Sequence, residues 1–208
     1  MIISFSGLDG SGKTTQIELL AGLLRSRGIP FGIVRTGRIS LVESAKSALQ
    51  TLGCGWVSRV EKAQREKSGN PSLLKRILTF VRPLCFVADI LIFQAFYRLP
   101  FRLKRETMLC DRYFFDAIAH FLHLGICSRR TAFSLLGLAP KADIAFYLQI
   151  RARAAYRRKP EYDESYFDDK AGIYADIAEK LGMTVIETGD IQETFQSIQR
   201  HLRSRSVL

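Results

Sequence analysis

Gly7-Leu8-Asp9-Gly10-Ser11-Gly12-Lys13-Thr14 follows an apolar run, Ile2-Ile3-Ser4-Phe5, and opens a helical pattern at Thr15. Strand, glycine-rich loop, then helix is the context in which a G-x-x-x-x-G-K-[ST] spacing becomes a phosphate-binding loop. Glycines let successive backbone N–H groups turn inward towards phosphate oxygens. A helix starting at Lys13 adds the positive end of its dipole. Gly7, Gly10, Ser11, Gly12, Lys13, Thr14 and Thr15 are therefore the candidate residues for binding a nucleoside triphosphate such as ATP. Lys13 is expected to reach the β- and γ-phosphates, and the Thr14 hydroxyl to ligate Mg²⁺. The bland alternative, a glycine-rich turn with a solvated lysine, leaves the agreement of strand, loop and helix unexplained.

The rest of the chain alternates apolar runs with helical patterns. Residues 16–27 place Ile17, Leu20, Ala21, Leu23 and Leu24 on one helical face, closed by Gly28. Residues 31–35 read as a short strand, and Ser40 with Glu43 as a capping box for a helix to about residue 52. A Ser68-Gly69-Asn70-Pro71 break divides two short helices, and a longer helix is expected over residues 84–98, ending before Pro100. Residues 107–110 form a buried strand ending on Asp111. Helices follow over about 115–124 and 128–136, a strand over 143–149 and a helix over 151–159. Residues 161–169 read as a charged loop entering a helix to Leu181, before a last strand at 183–187 and a last helix at 191–202. Strands alternating with helices imply a parallel sheet covered on both faces. The expectation is one α/β domain spanning 1–208: a three-layer α/β/α P-loop NTPase fold with five parallel strands, its site at their carboxyl ends.

Composition narrows the partners. The 208 residues carry 31 Lys and Arg against 20 Asp and Glu, a net charge of +11, which favours anionic ligands. Nucleic acid, phosphorylated metabolites and an acidic membrane surface all meet that condition. Cys54, Cys85, Cys110 and Cys127 form no C-x-x-C pair, which points to reduced thiols in a cytoplasmic protein. The chain enters its first strand at once, and no signal peptide is expected. Residues 77–101 are apolar, but Arg82, Asp89 and Arg98 interrupt them, and the clean run 90–97 falls far short of the ~20 residues a membrane span needs. A buried or interface helix is the better reading, with peripheral membrane contact through flanking basic residues ranked below it. Residues 53–82 hold Arg59, Lys62, Arg65, Lys67, Lys75, Arg76 and Arg82 against Glu61 and Glu66 alone, a basic insertion read first as a solvated surface.

Asp111-Arg112-Tyr113 leaves the third strand where such folds put a second functional cluster. A carboxylate there can sit near Mg²⁺ or orient the attacking oxygen. An arginine beside it can grip a phosphate through two N–H bonds. Arg157-Arg158-Lys159 offers donors that could close over a transferring phosphate. Asp9 is electrostatically awkward inside a phosphate cradle, unless it accepts a hydrogen bond from a sugar hydroxyl of a second substrate. Of the histidines, His120 is the candidate to line an acceptor pocket.

Taken together, residues 7–16, Asp111-Arg112-Tyr113, the run Lys141-Ala142-Asp143-Ile144-Ala145-Phe146-Tyr147-Leu148, and Arg157-Arg158 with the tyrosine-rich segment behind them resemble the thymidylate kinases. The resemblance implies transfer of the ATP γ-phosphoryl group to a nucleoside monophosphate, dTMP first, with Mg²⁺ held by Thr14 and Asp111. It assigns catalysis to Lys13, Asp111, Arg112, Arg157 and Arg158, with Arg158 also near the adenine. It assigns the acceptor to Asp9, Arg38, Phe86 and Arg112; Asp116 and His120, by their place on the following helix, are this chain's own further acceptor candidates. It implies a short lid bearing the catalytic arginine, because Gly10 stands where one subgroup carries arginine, and a homodimer formed through helices. The likeness departs at Ile90, which occupies the place of a base-reading arginine, at Asp116, and over residues 53–84. Two alternatives stay open: the same fold acting on another nucleotide or phosphorylated metabolite, and an ATP-binding switch with weak hydrolysis. A GTPase would need an N-K-x-D motif, and Pro140 precedes Lys141-Ala142-Asp143. A nucleic-acid role for the basic insertion ranks below the kinase reading.

Overall fold

The computed structural model describes residues 1–35, 73–158 and 163–208, with residues 73–80 described as helical backbone only. The helix expected at 40–52, the segment 53–72 of the insertion, Arg38 and Lys159 lie outside the described residues. Five parallel strands form the sheet: β1 (Ile2–Ser6), β2 (Phe31–Arg35), β3 (Thr107–Asp111), β4 (Ile144–Gln149) and β5 (Thr184–Glu187), in the order β2-β3-β1-β4-β5. Side chains alternate across β1 and β3. Ile2, Met108 and Cys110 join one apolar core, while Ile3, Phe5 and Leu109 join the other. The second core is roofed by α1 (Lys13–Ser26) and by the last helix, α8 (Ile191–Ser204), through Leu20, Leu24, Ile198 and Leu202.

The first core is covered by α2 (Leu73–Phe93), α4 (Phe114–His123), α5 (Arg129–Leu138) and α7 (Glu164–Leu181). Phe93 sits at its centre, edge-on to Tyr113 and Phe114 at 5.6 and 5.2 Å. This confirms the three-layer architecture and the central position of the β1 loop, because β3 and β4 flank β1 on either side.

Two boundaries differ from the sequence reading. The apolar helix does not begin near residue 84 or stop before Pro100. It starts at Leu73, passes through Pro83, widens into a π-helical turn at Gln94–Arg98, and continues as α3 (Leu99–Leu103). Pro100 falls at the start of α3, where its missing N–H and the ring are tolerated; the π-turn resets the hydrogen-bond ladder just before it. Val81–Leu103 is long and apolar enough, by length and composition, to cross a membrane. Its Phe86, Ile90 and Phe93 are nevertheless packed into the protein core, and buried Arg82 and Asp89 lie on the same helix. The charged loop expected at 161–169 is shorter than read, since α7 already begins at Glu164. Asp163 in extended conformation precedes it, with Tyr166 and Phe167 packed on each other.

Candidate active site

The loop after β1 is pressed against the sheet. Gly7 has φ +146°, and a Cβ there would lie 2.5 Å from the Leu148 carbonyl oxygen of β4, so only glycine lets the loop approach this closely. Gly10, at φ +85°, faces the short helix α6 (Ala152–Arg158), where a Cβ would meet the Arg158 Cβ at 3.3 Å. Gly12 precedes α1 without a side-chain cap, and the first turn of α1 holds no acidic residue, which leaves its N–H groups and dipole directed at the loop. Lys13 is buried, and its Nζ donates to the carbonyl oxygens of Gly7 and Leu8 at 2.9 and 2.7 Å. Burial, with Arg112 adding to it, lowers its pKa to about 8 against the opposing pull of Asp116, Asp9 and Asp111.

Three further stretches converge on this loop. Asp111 ends β3, where its backbone pairs with Phe5 of β1 and Arg35 of β2. Its carboxylate accepts from the Thr14 hydroxyl at 3.4 Å and lies 3.6 Å from Arg35 Nε. Arg112 sits at φ +67°, a conformation few non-glycine residues adopt, and its guanidinium forms an ion pair with Asp9. Burial works against the Arg112 charge, but Asp116 and Asp9 outweigh it and hold the group more firmly protonated than usual. Asp9 is likewise penalised by burial, yet Arg112, Lys13 and Lys170 pull its pKa below the ordinary carboxylate value. From the other side Arg158 donates through Nη1 to the Gly10 carbonyl oxygen at 3.0 Å. Arg157 is exposed beside it on α6.

Asp116 is placed differently from an open acceptor contact. It is buried, and its carboxylate accepts from the Ser6 hydroxyl at 2.6 Å, the Tyr113 backbone N–H at 2.8 Å and the Tyr174 hydroxyl at 2.7 Å. Those bonds tie β1, the start of α4 and α7 together directly beneath the loop. Phe86 is also enclosed, edge-on to Phe114 and Phe121 at 5.7 and 5.8 Å, and Ile90 is buried one turn further along α2. His120 is partly exposed on α4. Tyr113 serves the fold, its hydroxyl donating to the Pro140 carbonyl oxygen at 2.9 Å.

Sequence reading passed over Arg35, Tyr174 and Lys170. Arg35 follows from strand register once β2 is known to pair with β3. Tyr174 and Lys170 lie eight and four residues after Tyr166, a helical spacing of polar side chains that the charged composition of the segment concealed.

For a magnesium ion the relevant donors are hard oxygens, and Thr14 and Asp111 bring a hydroxyl and a carboxylate together at 3.4 Å. Mg²⁺ commonly takes one or two protein oxygens and completes its shell with water and phosphate, so this pair fits it.

Similarity to known proteins extends over most of the chain. No family model matches the chain. A probable thymidylate kinase of Sulfurisphaera tokodaii is 28% identical over 196 residues, covering 89% of this chain and 86% of the relative. One from Methanocaldococcus jannaschii is 27% identical over 216 residues, covering 98% and 96%. Among solved structures, thymidylate kinase from Ehrlichia chaffeensis superposes with a TM-score of 0.62 at 20% identity, over 97% of this chain and 98% of that one. That likeness establishes the fold.

Proposed function

We propose that this chain, similar over most of its length to thymidylate kinases, transfers the γ-phosphoryl group of ATP to a nucleoside monophosphate, dTMP before others. The reading is carried by one observation: the Asp9–Arg112 pair joins the phosphate loop to the carboxyl end of β3. A loop built only to hydrolyse ATP has no need of a carboxylate and an arginine side by side next to its cradle. A site that must hold a sugar hydroxyl and a second phosphate does.

Roles follow from position. Lys13 and the N–H groups of residues 10–15 hold the ATP phosphates, with Lys13 exchanging its carbonyl partners for phosphate oxygens. Arg112 holds the acceptor phosphate and Asp9 the acceptor sugar. Arg158, already against the loop, is the cation best placed to stabilise charge spread over the transferring group, with Arg157 as a secondary candidate, while Arg38 belongs with Arg112 to the acceptor phosphate. Phosphoryl transfer of this kind depends on positioning and electrostatics more than on covalent chemistry. Thr14 and Asp111 would hold Mg²⁺, which would supply neutralisation of phosphate charge. Asp116 positions the loop from below through Ser6 and Tyr113. In the enclosed arrangement described here, Phe86 and Ile90 support the acceptor side through the core.

Two further assignments belong to the same reading. Leu84, Leu91, Phe96, Leu99 and Leu103 leave a stripe of exposed apolar side chains along α2, the π-turn and α3. We assign that stripe to contact with a second copy, and Leu91→Glu with Phe96→Glu should yield a monomer by sedimentation. Free Cys85, Cys110 and Cys127 suit a reducing cytoplasm.

The test is ADP release from Mg-ATP against a panel of nucleoside monophosphates. Turnover dependent on dTMP, and lost in Lys13→Ala and Arg112→Ala, supports the reading. ATP binding without turnover of any monophosphate overturns it.

A further inference from the structure

Among the described residues, the charged side chains buried in the protein are Lys13, Arg82, Asp89, Asp116 and Lys170. The reaction outlined above uses Lys13 and Asp116 and leaves Lys170 without a task. Lys170 lies on α7 with 7% of its surface exposed. Its Nζ donates to the Tyr166 hydroxyl at 2.7 Å and rests 4.8 Å from the centre of that ring. A phenol oxygen and a ring face are weak recompense for a desolvated ammonium, which has three N–H groups to satisfy. Two carboxylates that act on its charge, Asp9 and Asp116, are engaged elsewhere. Asp9 pairs with Arg112, and Asp116 takes Ser6, Tyr113 and Tyr174. Burial lowers the Lys170 pKa first of all, with Asp9 and Asp116 opposing and Arg112 adding to the depression.

Its height in the fold is informative. Tyr166, Lys170 and Tyr174 are spaced four apart and share one face of α7. Tyr174 reaches the Asp116 carboxylate, which also holds Ser6, the residue immediately before the phosphate loop. The chain passes from the carboxyl end of β4 through α6 into α7, so the start of α7 lies at the carboxyl edge of the sheet. Lys170 therefore stands one turn, ~6 Å, nearer the carboxyl edge of the sheet than Tyr174, and its charge acts on Asp9 while Arg112 acts on it. A buried cation with spare donors is thus built into the acceptor half of the site from an element that carries neither loop nor strand end.

We propose that Lys170 is an acceptor-binding residue whose ammonium, together with Arg112, holds the anionic phosphate of the acceptor nucleotide, with Tyr166 fixing its position. The assignment rests on the kinase reading above and deepens it. A phosphate oxygen would supply a negative partner for Nζ, whose hydrogen bond among the described residues goes to the Tyr166 hydroxyl.

The test compares dTMP with thymidine, which shares base and sugar but lacks the phosphate. Calorimetric titration of the full-length wild type, Lys170→Met and Lys170→Arg should show dTMP affinity falling roughly 10- to 100-fold in Lys170→Met, the range for a lost charged hydrogen bond. Thymidine affinity and the KM for ATP should stay within about twofold, and Lys170→Arg should recover part of the loss. In the wild type, the ¹⁵Nζ signal of Lys170 should move on adding dTMP and not thymidine, a readout independent of how the variants fold. Equal weakening of dTMP and thymidine in Lys170→Met, unchanged dTMP affinity, or an unmoved Nζ signal would each overturn the proposal. If the wild type binds ATP but no monophosphate, the kinase reading itself fails. If it turns over dTMP and Lys170→Met does so equally well, only the role of Lys170 fails.

Discussion

The two halves of the site are built by different means. The phosphate half is backbone: a loop too close to β4 for any side chain at Gly7, an uncapped helix start, and strand register that sets Asp111 beside Thr14 and Arg35. The proposed acceptor half is side chains from separate places, Asp9 in the loop, Arg112 at the end of β3 and Lys170 on α7. Two of the residues that the sequence nominated for it, Phe86 and Asp116, are spent on packing. Phe86 faces a core, with Ile90 buried beside it, and the Asp116 carboxylate accepts three hydrogen bonds from within the protein. Backbone geometry tolerates little change and so leaves a fixed pattern in the sequence. Side-chain constellations can be rebuilt from other elements, as we propose for Lys170.

The strongest challenge to that contrast is to put back the arginine that the family likeness expects. Ile90→Arg would bury a cation among Phe86, Phe93 and their neighbours, and should cost about 3–5 kcal/mol in urea unfolding, as an uncompensated buried charge does. Improved dTMP binding with little loss of stability would show instead that position 90 opens onto the acceptor. Lys13→Ala should lower kcat by about 10²–10³, the range for removing a preorganised electrostatic group, as steady-state kinetics would measure. A smaller and purely structural effect is expected on the other side. Tyr174→Phe removes one bond to a buried carboxylate and should destabilise by about 1.5–3 kcal/mol in urea unfolding.

The smallest expected signal is a proton. A lysine whose pKa falls from an unfolded value near 10.5 to about 8 carries a cost that is full below pH 8 and relieved as pH rises towards 10.5. The nucleotide-free protein should therefore gain stability across that window through Lys13. Phosphate charge raises the same pKa, so ATP binding should take up a fraction of a proton between about pH 8 and 9 and weaken as pH rises. Calorimetry in buffers of different ionisation enthalpy measures it, and Lys13→Met should abolish it.

Much of this was legible in the chain. The order strand, glycine loop, helix and the placement of Asp111-Arg112 at a strand end follow from short-range patterns, and the five-stranded sheet bears them out. The reach of the apolar helix was not, because Pro100 reads as a stop and only the π-turn before it shows how the helix carries on. The roles of Asp116 and Tyr174 depend on 58 residues of separation closing to 2.7 Å, a contact no local pattern announces. Ile90 looked like a lost contact, whereas its burial makes it part of the wall behind Phe86.

The most direct measurement follows the label itself: incubate the protein with [γ-³²P]ATP, Mg²⁺ and dTMP, and separate the products. Radioactivity recovered in dTDP, absent with Lys13→Ala, is the result expected if both halves of the site work on one reaction. Radioactivity appearing only as inorganic phosphate, at a rate indifferent to dTMP, would contradict it and leave a nucleotide-hydrolysing loop beside a pocket of other purpose.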